Sequence, residues 1–463
     1  MRLEIKGVIA IGWTFFLTSV LIFGLLVRFS FPEAKSVWSD ELFSLALSSP
    51  EKSLLSVIEE AFRRDIHPPF YALLLRLYFF EAAYTVEAAR AFSAFFGMLG
   101  VIAITLFVYL WRNAREALFV GVLLAFNSML FFYSQEIRMY SLSLFFLGAG
   151  MLSWSLGKKN SNQIWFALSG LLFGCLTFTY YIGGLFSIIF ISLGVGLAIC
   201  LRRRFFVPEI VALLTLGIAL FFLAPSLFAD LQSNQSFWIP SLDIRGFLQL
   251  TSGLAGGKFA LSLMFGVIAW RCIKRLNLEV IEIHLIFSIG IFSLILSVYS
   301  MIFFSVFLPR VLIVLTPLLV VLTGVSVCKL TNSKAMKILS ILVFVFPTFL
   351  ASPNAFDRRG HGHNPKSLVK FIGSNPQRYG TCEKAPDHIR ALFKIYGYSE
   401  LLPTKEPKLQ PGTICWLIST HQARSVERLL NGWDFEIVKQ KVQAREAAYL
   451  IKIIRIAKSV TVE

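Results

Sequence analysis

Two acidic motifs stand in the first long polar stretch of an otherwise strongly apolar chain. Asp40 and Glu41 are adjacent, and Asp65 is followed two positions later by His67. Carboxylates and imidazoles are the groups that proteins use as general bases and as metal ligands. A bilayer protein gains no fold stability from carboxylates at a membrane face, so these residues indicate catalysis or ligand binding.

Each acidic group also has a structural interpretation. Ser39 could cap a helix whose positive end favours Asp40 and Glu41, and that role is compatible with catalysis. Asp65 could cap a turn, with His67 hydrogen-bonded at the interface. The residue types alone leave both interpretations open.

A second polar cluster lies between two later apolar runs. Gln135, Glu136 and Arg138 stand close together, and Tyr140 follows. Arg138 is a candidate phosphate ligand because a guanidinium fork matches two phosphate oxygens. Glu136 and Tyr140 are spaced by one helical turn, which predicts that they share a side. The alternative for Arg138 is an interfacial arginine reaching lipid headgroups, with the tyrosine in the aromatic belt.

The elements that must position these residues are membrane spans. The chain has 463 residues, 56% of them hydrophobic, and a mean hydropathy of +0.70. Runs such as 7–27 and 210–229 contain no charged residue, and about 20 apolar residues cross a bilayer core as a helix. We predict a polytopic helical protein whose first span is an uncleaved anchor. The eleven predicted spans are near 7–27, 87–111, 117–133, 139–157, 164–181, 184–201, 209–228, 259–271, 281–303, 308–328 and 337–351.

Basic residues predict the orientation, because short cytoplasmic loops are rich in Lys and Arg. Those assigned to the cytoplasmic side are Arg2, Lys6, Arg112, Arg115, Lys158, Lys159, Arg202, Arg203, Arg204, Arg271, Lys274, Arg275, Lys329, Lys334 and Lys337. The N-terminus is then cytoplasmic in a plasma (inner) membrane, and an odd number of spans makes the C-terminus exoplasmic. Both acidic motifs and Arg138 share the exoplasmic face. Arg310, beside Pro309 at the outer end of a late span, is a second phosphate candidate or a lipid anchor.

Two stretches outside the spans are predicted to be ordered. The loop 28–86 carries apolar residues at helical spacing, which predicts short helices lying in the interface plane. Residues 352–463 contain no predicted span and mix helical with strand patterns, which predicts a small soluble α/β domain outside the membrane. Cys382 and Cys415 could pair there if that side is oxidising.

Other ligands are weakly indicated. The formal charge of +17 does not indicate nucleic-acid binding, because the basic residues sit in small clusters between spans. A divalent metal held by Asp65, His67 and an acid of the first motif is possible, although no tight ligand spacing supports it. His361 and His363 flank a glycine in a linker and are metal ligands or solvated residues.

Taken together, the motifs resemble those of the GT-C superfamily of integral-membrane glycosyltransferases. In pattern they are nearest to protein O-mannosyltransferase-like proteins and to the aminoarabinose transferases of lipid A. The resemblance covers residues 1–350, and its motifs are Trp38–Glu41, Asp65–Leu74, Tyr133–Tyr140, Trp238–Pro240 and Pro309–Arg310. One departure is Arg310-Val311, where many relatives have Arg-Tyr.

The resemblance implies a GT-C-like catalytic domain at residues 1–351, and the change in sequence character after it predicts the separate domain at 352–463. It implies an enzyme of the cell envelope that moves a hexose or pentose from a polyprenyl-phosphate donor to a hydroxyl of a lipid, glycan or protein. In such enzymes the acidic pair carries the catalytic carboxylate, which makes Asp40 the candidate base and Glu41 its orienting neighbour. Arg138 and Arg310 become candidates for the donor phosphate, supported by Gln135, Glu136 and Tyr140. Asp65 and His67 are candidates for binding the acceptor or a metal.

Two rival hypotheses are open. A transporter or flippase for a lipid-linked sugar needs polar groups near the middle of the spans, and His284 is the nearest exception to their apolar character. A receptor-like anchor acting through its C-terminal domain would leave the loop acids without a role. The transferase hypothesis requires Asp40, Arg138 and Arg310 to face one cleft.

Overall fold

Helices make up most of the part of the chain that the structure, a computed structural model, describes. That part comprises residues 2–30, 37–65, 67–200, 210–218, 221, 243–274, 277–303, 305–350, 369, 371–374, 381, 393–395, 398–402, 413–419, 433–443 and 446–456. The helices are α1 (Arg2–Leu26), α2 (Ser39–Leu47), α3 (Leu54–Arg64), α4 (Phe70–Tyr78), α5 (Val86–Trp111), α6 (Ala114–Ala125), α7 (Ser128–Tyr133), α8 (Tyr140–Asn160), α9 (Gln163–Thr179), α10 (Tyr181–Cys200), α11 (Ile244–Ala255), α12 (Lys258–Ile273), α13 (Val280–Ile302), α14 (Leu315–Leu330) and α15 (Lys334–Leu350). The strands are β1 (Ile414–Ser419), β2 (Trp433–Gln443) and β3 (Glu446–Ile456).

The chain divides into two compact units. The first, here called the helical unit, comprises Met1–Ser30, Leu55–Leu74 and Arg90–Leu350. The second, the mixed unit, comprises Phe31–Leu54, Leu75–Ala89 and Ala351–Glu463. Parts of the loop after the first span therefore belong to each unit.

Several helices of the chain are long and apolar enough to cross a membrane. Among the described residues these are Ile11–Phe29, α5, α8, α10 and α13, and α11 with α12 adds one more if the pair, bent by 85°, counts as one span. Helices α9 and α14 are apolar but shorter. The chain is thus an integral membrane protein built from apolar helices, and the count of eleven spans stays a prediction. Helices α2, α3 and α4 lie in the loop 28–86, where their position in the interface also stays a prediction.

One predicted span is wrong as a single helix. The segment 117–133 breaks between α6 and α7, where the Asn127 side chain accepts a hydrogen bond from the Leu130 N–H at 3.1 Å and so caps α7. Asparagine is among the best helix caps, and this side chain outweighs the apolar run around it. The Asn127 amide also donates to the Ala255 carbonyl at 2.9 Å. Gly256 follows with a φ of 93°, a conformation that glycine tolerates. The break of one helix therefore fixes the bend of another.

A second predicted span begins later than expected. The pattern predicts helix from residue 308, but residues 309–314 form turns and α14 starts at Leu315. Pro309 removes one backbone N–H, and its ring disfavours helix in the residue before it. Arg310 lies in the turns that lead into the helix.

Ion pairs link residues at or beside the ends of α5, α12, α13 and α14 in the helical unit. Lys329 lies 2.9 Å from Glu279 and 2.7 Å from Glu282. Arg112 pairs with Glu279, and Arg271 lies 2.7 Å from the buried Glu282. The three basic residues belong to the set that the sequence assigns to one side of the membrane, and the structure places them together.

In the mixed unit the strands form an antiparallel sheet of order β1-β3-β2. Cys415 of β1 is disulfide-bonded, whereas Cys382, like His361 and His363, lies outside the described residues. Lys394 forms an ion pair with Glu51, which joins the C-terminal part to the loop after the first span. The division of the chain at residues 351 and 352 and the α/β character of the C-terminal domain stay predictions.

Candidate active site

Arg138 is presented by a tight turn between α7 and α8. Its side chain is buried, and its backbone N–H donates to the Glu136 carbonyl at 2.8 Å. Because α8 begins only at Tyr140, Glu136 lies in the turn. The prediction that Glu136 and Tyr140 share a helical side is therefore wrong. Tyr140 instead packs edge to face on Tyr133, with ring centroids 4.8 Å apart.

Asp65 faces Arg138 from the end of α3. Its carboxylate lies 3.7 Å from the guanidinium, and the two side chains are only 13% and 6% exposed. Charges that are buried away from water in this way interact more strongly than surface pairs do. Asp65 also accepts the His67 backbone N–H at 3.2 Å, the turn that the sequence allows as one interpretation. One carboxylate thus both shapes the turn before α4 and balances an arginine.

His67 lies within electrostatic range of both candidate arginines. Burial, with the positive charges of Arg138 and Arg310, holds the pKa of His67 well below its usual value. The imidazole is therefore neutral near pH 7 and can both donate and accept a hydrogen bond. Its ring packs on that of Tyr180, with centroids 5.6 Å apart. His67 precedes the helix after the double proline, as the sequence predicts.

Tyr180 connects His67 to the turn that carries Arg310. Its hydroxyl donates to the Val311 carbonyl at 2.6 Å, and the side chain is buried. Arg310 and Arg138 both lie within electrostatic range of this phenol. A tyrosine of the aromatic belt keeps its hydroxyl in the hydrated membrane interface. The buried Tyr180, with its hydroxyl bonded to a backbone carbonyl, is therefore not a belt residue. The sequence analysis misses Tyr180, because its hydrogen-bond partner is 131 residues away.

Arg28 stabilises the helices next to the turn that carries Arg138. The sequence analysis misses this residue too. Fully buried, it donates to the Leu130 carbonyl at 3.0 Å, the Ser134 hydroxyl at 2.8 Å and the Ala125 carbonyl at 2.8 Å. The Gln135 amide donates back to the Arg28 carbonyl at 3.1 Å. A charge at the end of an uncharged span is a signal that could identify it. Arg28 and Gln135 thus hold the turn that presents Arg138.

The first acidic motif, which belongs to the mixed unit, opens α2. Trp38 is the N-cap, so the interpretation of Ser39 as the cap is wrong. The fully buried Glu41 carboxylate instead accepts the Trp38 backbone N–H at 3.4 Å. Asp40 is half-buried in the first turn of the helix, where a carboxylate interacts favourably with the positive helix end. The two acids therefore have different surroundings.

The helical unit contains a cluster of polar side chains around two cations where a phosphate could bind. We call this cluster the arginine site, and it consists of Arg138, Arg310, the neutral His67, Asp65 and Tyr180. Two guanidinium groups can together bind several oxygens of one phosphate. Among the residues that the structure describes, no three His, Cys, Asp or Glu side chains are grouped to hold a metal ion.

Comparison with known proteins finds similarity in structure. No protein-family model and no curated protein matches the sequence. The crystal structure of ArnT from Cupriavidus metallidurans in the apo state matches with a TM-score of 0.63 at 13% identity, over 95% of this chain and 98% of that one. The same protein bound to undecaprenyl phosphate matches with a TM-score of 0.61 at 13% identity, over 97% and 99%.

A more distant likeness is to the S. cerevisiae protein O-mannosyltransferase Pmt1-Pmt2 complex bound to the sugar donor. Its TM-score is 0.33 at 19% identity, over 47% of this chain and 32% of that one, which is too low to bear on the fold. The two ArnT structures extend over almost the whole of both chains. The chain therefore has the fold of ArnT.

Proposed function

We propose that this protein is a glycosyltransferase that moves a sugar from a polyprenyl-phosphate carrier to a hydroxyl group at the exoplasmic membrane face. The observation that carries the proposal is the arginine site within a fold that matches ArnT over 95% of the chain. ArnT has been crystallised with undecaprenyl phosphate. We infer a ligand of the same class here, a phosphate on a long lipid.

The arginine site is the proposed place of the donor phosphate. Arg138 and Arg310 act on the same imidazole, so a phosphate near His67 would lie within range of both guanidinium groups. Such preorganised charges stabilise the negative charge that grows on a departing phosphate. Arg138 is buried, and a charged hydrogen bond made away from water is stronger than one made in water.

The reaction then needs one base. The acceptor oxygen attacks the anomeric carbon, the bond from that carbon to the phosphate oxygen breaks, and its electron pair leaves with the phosphate. The acceptor proton passes to a carboxylate. We assign this role to Asp40, because the Glu41 carboxylate is fully buried and bonded to the Trp38 N–H.

His67 is the proposed contact for a hydroxyl. A neutral imidazole can accept a hydrogen bond from a hydroxyl or donate one to it. Burial, with the charges of the two arginines, holds the pKa of His67 well below its usual value, so the ring offers a hydroxyl a neutral hydrogen-bonding partner. We assign Gln135, Glu136 and Tyr140 to the support of the turn that carries Arg138, in line with the Gln135 hydrogen bond to Arg28.

The orientation is part of the proposal. Cys415 is disulfide-bonded, and disulfides persist in oxidising compartments, which supports an exoplasmic C-terminal domain. The basic residues Arg112, Arg271 and Lys329 gather at one face, which supports a single cytoplasmic side for that set. We place the protein in the plasma (inner) membrane with its N-terminus cytoplasmic.

The rival transporter hypothesis depends on polar groups within the spans. His284, its nearest candidate, is buried, and its Nε2 lies 2.7 Å from the Phe190 carbonyl oxygen. Its ring also stacks on that of Phe190, with centroids 4.3 Å apart. These contacts give His284 a structural role in joining α10 to α13.

Labelled donors test the proposal. Membranes containing the protein are incubated with polyprenyl-phosphate hexoses and pentoses that carry a labelled sugar, and the label is followed in lipid, glycan and protein fractions. We expect label to leave the carrier and appear on an acceptor only when the protein is present. Label that changes leaflet but stays on its carrier would favour a flippase and contradict the proposal.

A further inference from the structure

The arginine site contains a negative charge that a simple phosphate pocket does not need. The Asp65 carboxylate lies 3.7 Å from the Arg138 guanidinium, and both side chains are largely buried. A bound phosphate oxygen would share that guanidinium with the carboxylate. Other ionisable groups near the arginines are Glu136, Tyr133, Tyr140, Tyr180 and His67.

The two lipid phosphates of the proposed reaction differ in charge. A polyprenyl-phosphate sugar is a phosphodiester with one negative charge. After transfer the carrier is a phosphomonoester, which carries about −1.5 to −2 at pH 7. The product is therefore the stronger ligand for any pair of arginines, and it must leave before a new donor can bind.

We propose that Asp65 sets the charge selectivity of the arginine site, weakening the doubly charged carrier phosphate more than the singly charged donor. This inference rests on the proposed function. Coulomb repulsion from one fixed carboxylate is about twice as large for a ligand with two charges as for a ligand with one. Asp65 thereby favours the exchange of spent carrier for fresh donor.

The geometry allows the charge of Asp65 to be removed without loss of its hydrogen bond to His67. Asp65 Oδ1 accepts the His67 N–H at 3.2 Å, and an asparagine side chain retains an oxygen that can accept the same bond. Asp65→Asn therefore removes the charge and keeps the turn. Asp65→Ser is a second uncharged variant that also keeps an acceptor oxygen. The matched control is Glu60→Gln, which removes a carboxylate from the same helix that is paired with Arg64 at 2.7 Å.

The experiment measures, for each purified variant, the inhibition constant of polyprenyl phosphate and the KM of the polyprenyl-phosphate sugar. Each uncharged variant removes the repulsion between the Asp65 carboxylate and the ligand phosphate. We therefore expect the donor KM to fall about threefold and the inhibition constant of polyprenyl phosphate to fall about tenfold. Turnover at saturating donor should fall as product release slows. Glu60→Gln should leave both constants unchanged.

The outcomes separate this inference from the proposed function. If the wild-type protein transfers sugar but both uncharged variants change the donor and product constants by equal factors, or not at all, the charge selectivity of Asp65 is refuted. If the wild-type protein neither transfers sugar nor binds polyprenyl phosphate, the proposed function fails first. Unfolding curves like that of the wild-type protein show that a variant is folded.

Discussion

The hydroxyl of Tyr180 donates a 2.6 Å hydrogen bond to the carbonyl of Val311, one residue after Arg310. The same aromatic ring packs on His67 at 5.6 Å. One side chain thus connects the turn before α14 to the turn before α4. Since Arg310 is carried by the first turn and His67 by the second, Tyr180 acts as a positioning residue of the arginine site.

Tyr180→Phe separates the two contacts, because phenylalanine keeps the ring and loses the hydroxyl. A buried carbonyl left without its donor costs about 1–3 kcal/mol, so we expect a lower midpoint of thermal unfolding. The turn that carries Arg310 should also loosen, which raises the donor KM severalfold. If the donor KM is unchanged, the positioning role is wrong. A Tyr109→Phe control changes an exposed tyrosine of α5 and should behave like the wild-type protein.

Arg138→Ala should weaken use of the donor more than use of the acceptor. Loss of a charged hydrogen bond to a phosphate costs about 1.5–3 kcal/mol, roughly a 10- to 100-fold rise in the donor KM. Steady-state kinetics with each substrate varied in turn measures the effect. Repeating it in an Asp65→Asn background removes the carboxylate that the variant leaves without this arginine. Unchanged donor affinity in both backgrounds would count against a phosphate role.

Arg28→Met should destabilise the fold rather than alter substrate selectivity. The variant leaves the Leu130 and Ala125 carbonyls without the arginine, and each buried acceptor without a partner costs about 1–3 kcal/mol. Thermal unfolding in detergent should show a markedly lower midpoint, partly restored in Arg28→Lys. Arg115→Met, which alters an exposed arginine near the start of α6, provides the control. An unchanged midpoint for Arg28→Met would contradict the bracing role.

His67 predicts a dependence of stability on pH. Its folded-state pKa is lowered by burial and by the two arginines, so between that value and the unfolded value of about 6.5 the unfolded chain binds more protons. Acidification from pH 7.5 to 5.5 should therefore destabilise the fold, and this part of the loss should be absent in His67→Gln. Parallel unfolding curves at the two pH values measure the difference. Equal losses in both proteins would exclude the lowered pKa.

The local sequence pattern predicts the features of the fold that depend on residues close together in the chain. Apolar runs predict the membrane helices, and the motif around Asp40 and His67 predicts the fold that ArnT shares. The break at Asn127 escapes a hydropathy reading because one polar residue hardly changes the average over an apolar run, although asparagine is a known helix cap. Its second partner, Ala255, is 128 residues away.

Contacts between residues far apart in the sequence explain the other features that the sequence analysis misses. Arg28 reaches Leu130 across 102 residues, and Tyr180 reaches Val311 across 131. No periodicity encodes such pairs, because they arise only when helices pack. The difference between Asp40 and Glu41 is also hidden from the pattern, since both acids fit a helix start equally well until the burial of Glu41 is known.

The most direct measurement compares Asp40→Asn with the wild-type protein in sugar transfer from a labelled polyprenyl-phosphate donor, with binding of polyprenyl phosphate followed in the same preparations. The account predicts normal insertion, normal carrier binding, and a loss of transfer of roughly 10²- to 10⁴-fold, the usual contribution of a general base. Transfer at or near the wild-type rate by a folded, carrier-binding Asp40→Asn protein would contradict it.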